Sequence, residues 1–93
     1  MTTRGAQLNT VPDKDDIAAW LRVEHQLPVL RANAWAKFLQ GLTWRWIRPV
    51  VQITVNSRQA HPKPVLEEAA RASTSRSFKA AAKRHLQRQE LAQ

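Results

Sequence analysis

The stretch VLRANAWAKFLQGLTWRWIRPVVQITV, residues 29–55, decides how this chain folds. Trp35, Phe38, Leu39, Leu42, Trp46, Val50 and Ile53 recur at the three- and four-residue spacing of one helical face. Lys37, Gln40, Arg45, Arg48 and Gln52 fall mostly opposite. Pro49 interrupts this pattern. It has no N–H to donate and its ring crowds the preceding turn, at about 3 kcal/mol in a straight helix interior. The spacing therefore predicts a helix to about Ile47. Residues 50–55 then read two ways, as more helix or as a short strand. Their β-branched content, and the alternation of Val51, Ile53 and Val55 with Gln52 and Thr54, supports the strand. Trp44 lies off the stripe, about 160° from Trp46 on a helix. Trp46 is thus expected in the core, and Trp44 partly exposed or covered by a partner.

Upstream, a helix is expected from about Asp13, with Pro12 near its start and Thr10 or Asp13 capping its free N–H groups. Asp15 and Asp16 suit the positive end of its dipole. Ile17, Trp20, Leu21 and Leu27 form its stripe, and Pro28 ends it near His25 and Gln26. Residues 1–11 are polar and aperiodic and read as a flexible arm.

Downstream, residues 56–64 read as a loop, and Pro64 suits the first position of a helix VLEEAARAS with a Glu67–Arg71 pair. Ser75 or Ser77 is placed to cap a last helix from Phe78 to about Leu91. The fold expectation is mainly α: three or four short helices in one small basic domain over residues 12–93, a mobile N-terminal arm, and a short strand at residues 50–55 as the open alternative. The expected core is Trp20, Leu21, Trp35, Phe38, Leu39, Leu42, Trp46 and Leu66.

The order of strand-like VQITVN, helix VLEEAARAS, turn TSRS and helix FKAAAKRHL resembles a ribbon-helix-helix DNA-binding domain, as a minor reading. That resemblance implies a strand pair in the major groove with Gln52, Thr54 and Asn56 pointing outward. The chain departs from the pattern in its long 56–64 loop, its mostly alanine core positions and the tryptophan-rich residues ahead of the strand.

Charge carries the functional reading. Fifteen Lys and Arg stand against seven Asp and Glu, a net charge of +8. Residues 27–66 contain no carboxylate, yet hold Arg31, Lys37, Arg45, Arg48, Arg58, Lys63 and three of the four tryptophans. Uncompensated positive charge beside amphipathic aromatics points to an anionic surface. The candidate nucleic-acid contacts are Arg45, Arg48, Arg76, Lys79, Lys83, Arg84 and Arg88, with Trp44 as the residue that stacks on a partner.

The expected function is a small non-enzymatic basic accessory protein that docks on a polyanion, nucleic acid first. The alternative is a small subunit or peripheral module of a larger protein or membrane assembly, including contact with anionic lipid through the same Trp/Arg segment. With no cysteine, disulfide and thiolate chemistry is excluded. His25, His61 and His85 stand apart, without metal-ligand spacing, and no glycine-rich phosphate loop or Ser/His/Asp pattern is present. No catalysis, cofactor, metal or small-molecule substrate is therefore expected. The N-terminus shows no apolar signal region, so a cytoplasmic location is expected.

Overall fold

A computed structural model describes residues 9–91. The expected arm therefore lies mostly outside the described residues. Among the described residues five helices follow in order: α1 Lys14–Glu24, α2 Val29–Leu39, α3 Trp44–Asn56, α4 Pro62–Ala72 and α5 Arg76–Leu91. The mainly helical expectation holds, but three or four helices was too few, and no strand occurs among the described residues. The chain divides into two compact units, residues 1–47 and 48–93, with the division inside α3.

In the first unit, Asp13 caps α1 by accepting the Asp16 N–H at 2.9 Å. At the other end Gln26 takes a left-handed φ of 56°, and Leu27 N–H turns back onto the Leu21 carbonyl at 3.3 Å. Helices α1 and α2 pack on each other. Ile17, Leu21, Ala32, Trp35, Ala36 and Leu39 are buried in this unit. Thr10 is tied down, its carbonyl accepting the Trp44 N–H at 3.2 Å.

The long stripe of residues 29–55 breaks at Gln40 and Gly41, not at Pro49. The φ of Gly41 is 101°, a conformation that a Cβ makes costly. Gly41→Ala is expected to cost about 1–2 kcal/mol, read as a lower denaturation midpoint at unchanged m-value.

The break resets the helical phase. Helix α3 buries Ile47, Val50, Val51 and Thr54, while Ile53 is 48% exposed. Trp46 is therefore half-buried at the edge of this stripe, not the core residue that the uninterrupted pattern predicts. Trp20 is also half-buried, whereas the other six expected core residues are buried.

Pro49 is the sixth residue of α3 and is passed through without ending it. It deprives the Arg45 carbonyl of its helical donor. Both residues are exposed, so hydration offsets part of that loss. The strand reading of residues 50–55 fails because a helix buries Val50, Val51 and Thr54 on one side. Each buried Val or Ile gains about 1.5–3 kcal/mol, more than the few tenths that a β-branched residue costs a helix. The Thr54 hydroxyl donates to the Val50 carbonyl at 2.6 Å, which satisfies it in the interior. With no strand at Gln52, Thr54 and Asn56, the ribbon-helix-helix resemblance falls.

In the second unit, α4 and α5 pack together and bury Val65, Leu66, Ala82 and His85. Helix α4 starts at Pro62, two residues before the expected Pro64, because His61 caps it. Its exposed ion pair joins Arg71 to Glu68, not to Glu67. Ser75 caps α5 by accepting the Phe78 N–H at 3.2 Å, so the helix begins at Arg76 instead of Phe78.

Candidate nucleic-acid interface

Helix α5 gathers five of the seven expected cationic contacts. Arg76, Lys79, Lys83, Arg84 and Arg88 are all exposed. They share its outer half because Phe78, Ala82 and His85, spaced at four and three residues, turn the opposite side inward. Glu90, in the last turn, is the carboxylate on this helix. Five fixed cations along about 18 Å of helix repel one another, and an anion that bridges them relieves that strain.

Arg45 and Arg48 lie on α3 and not on α5. Arg45 is exposed in the first unit, with its guanidinium 5.9 Å from the Trp46 ring centroid. That geometry is a cation–π contact, worth about 0.5–1 kcal/mol at an exposed site. Arg48 is half-buried. Trp44 is half-buried too and meets Trp20 edge-on, with ring centroids 5.2 Å apart and planes at 73°. Trp20 in turn meets His25 at 4.9 Å and 79°. Trp44 thus belongs to an aromatic cluster of the first unit. Sequence reading missed the cluster because Trp20 and Trp44 lie 24 residues apart with no local pattern linking them.

The histidines occupy three different elements. His85 is buried in α5, and His25 follows α1. His61 accepts the Lys63 N–H on Nδ1 at 3.2 Å. Burial lowers its pKa below the ordinary value, and Lys63 adds to the effect. Below about pH 6.5 the unfolded chain then binds more protons than the folded one. Stability contributed by this cap is present above that pH and is lost as pH falls toward the folded-state pKa. His61→Asn keeps a capping acceptor that does not titrate. It is expected to remove this part of the decline between pH 7 and 5, as read by thermal unfolding of both proteins. Equal declines would show that His61 does not carry it.

No three His, Asp or Glu residues converge among the described residues. A groove of about 370 Å³ in the second unit is lined mainly by apolar groups, including Ile53, Pro64, Val65 and Ala69. Its carboxylate, Glu68, is held by Arg71. No described helix is long and apolar enough to cross a membrane. No family model matches the chain, and no curated protein or solved structure shows significant similarity to it.

Proposed function

We propose that the chain is a small, non-enzymatic nucleic-acid-binding protein whose principal contact is the outer half of α5. The observation that carries this reading is the grouping of Arg76, Lys79, Lys83, Arg84 and Arg88 on one exposed helix surface with a single carboxylate at its end. Rows of cations of this kind neutralise phosphates and release condensed counterions, so binding is strong at low salt and indifferent to base sequence. Arg45, exposed in the first unit, adds charge, and Trp44 and Arg48 contribute from half-buried positions.

The test is binding of the intact chain to labelled nucleic acid, measured by fluorescence anisotropy over a salt series. The reading requires the logarithm of affinity to fall linearly with the logarithm of salt, by roughly one counterion per phosphate contact. A flat response between low and physiological salt would remove it.

A second reading, docking on a larger protein assembly or membrane surface, draws on one feature. Val23, Val29 and Leu30 are 73%, 51% and 84% exposed beside the turn between α1 and α2. Flotation of the chain with anionic but not neutral vesicles, unaffected by added nucleic acid, would favour the membrane form of this reading.

A further inference from the structure

We infer that α5 seats in the major groove of B-form DNA, with Lys79 and Lys83 facing one phosphate wall, Arg84 and Arg88 facing the other, and Ala80 and Gln87 over the groove floor. This rests on the nucleic-acid reading above and adds which nucleic acid is bound and how.

The inference comes from the angular order of the exposed side chains. At about 100° per residue, with Arg76 as origin, Gln87 and Ala80 project at about 20° and 40°. Lys83 and Lys79 lie at about −20° and −60°, and Arg84 and Arg88 at about 80° and 120°. Around a midline near 30°, the two lysines and the two arginines are mirror partners, at about 50° and 90° to either side. The buried Ala82 and His85 and the half-buried Phe78 centre on the opposite direction. Between Lys79 and Arg88, the neutral Ala80 and Gln87 form the ridge with cations down both flanks, which matches a trough with two anionic walls better than a single anionic sheet. Arg76, about 30° from the midline, precedes this span, and Glu90 and Leu91 follow it.

Dimensions agree. A helix with its side chains is about 10–12 Å across, and the B-form major groove is about 12 Å wide. From Lys79 to Arg88 the flanking cations extend about 14 Å along the axis. The other polyanions fit less well. Single strands are held by exposed aromatics that stack on bases, and the exposed half of α5 has none, since Phe78 lies on the inward side. Duplex RNA has a deep, narrow major groove. A lipid surface calls for a large apolar face turned outward, whereas the apolar side of α5 is turned inward. Gln87 brings one amide to the groove floor, so discrimination among sequences is shallow.

The experiment uses the full chain and four probes of matched sequence and length at one low salt concentration: a DNA duplex, the same duplex with glucosylated 5-hydroxymethylcytosine filling the major groove, the single strand, and the RNA duplex. The plain DNA duplex should bind at least tenfold more tightly than each of the other three. Ala80→Glu, at an exposed position, should weaken duplex binding tenfold or more. Ala34→Glu, an equal charge change on an exposed position of α2, should change it by less than threefold. Undiminished binding to the glucosylated duplex overturns the groove placement while leaving phosphate binding intact. So does tightest binding to the single strand or RNA, or equal effects of the two glutamates. Binding to none of the probes overturns the nucleic-acid reading itself.

Discussion

Alanine in place of Lys79, Lys83 and Arg84 together should lower DNA affinity at 50 mM salt by about two to three orders of magnitude. The reason is electrostatic. If all five cations of α5 meet phosphates, the salt slope is about −4.5, and affinity falls about 500-fold between 50 and 200 mM salt. With three removed, the slope is about −1.8 and the same interval costs only about 12-fold. The three positions are exposed and alanine is the best helix former, so circular dichroism should be unchanged. The slope is the decisive readout, because a structural defect weakens binding without altering how many counterions are released. Parallel salt lines for the two proteins would show that α5 is not the contact.

Trp35→Ala should cost about 3–5 kcal/mol of stability, the usual loss for a large buried aromatic. Trp35 is 2% exposed and belongs to the first unit with Leu39 and Leu21. Its removal leaves a cavity that rigid helices close only in part. Trp46→Ala should cost less, about 1–2 kcal/mol, since half-burial forfeits about half the transfer energy. Chemical denaturation of both variants checks the order. A reversed order would restore the face assignment that the unbroken 29–55 stripe suggests.

The parts of the fold legible in the sequence are those written locally. Asp13 as a cap, Pro28 as a stop and Ser75 as a cap are single-residue signals whose geometry does not depend on distant packing. What the sequence concealed was phase. Counting every third and fourth residue from Trp35 to Ile53 assumes one continuous helix. Gln40, extended at the C-cap, and Gly41, at positive φ, end that helix and let the next start at an arbitrary angle. Trp46 then moves to the edge and Ile47 to the interior. The local cost of Pro49 is written in the sequence, whereas its tertiary compensation through Val50, Val51 and Thr54 is not visible in a window of ten residues.

The candidate interface was legible for the same reason as the caps. The cations of α5 lie within 13 residues of one helix, where periodicity alone groups them. Arg45 and Arg48, on α3, share only their charge with the α5 cations, and charge alone carries no information about direction. The contact between Trp20 and Trp44 is non-local and left no trace in spacing.

The two principal helix pairings among the described residues, α1 with α2 and α4 with α5, join neighbours along the chain through links of three or four residues. Closing such short loops takes about 10–100 ns, and little chain entropy is lost before packing rewards it. Proteins dominated by contacts of this range reach their native state in microseconds to milliseconds. A nascent chain of this sequence can therefore complete α1 and α2 while α5 is still being synthesised, at about 5–20 residues per second.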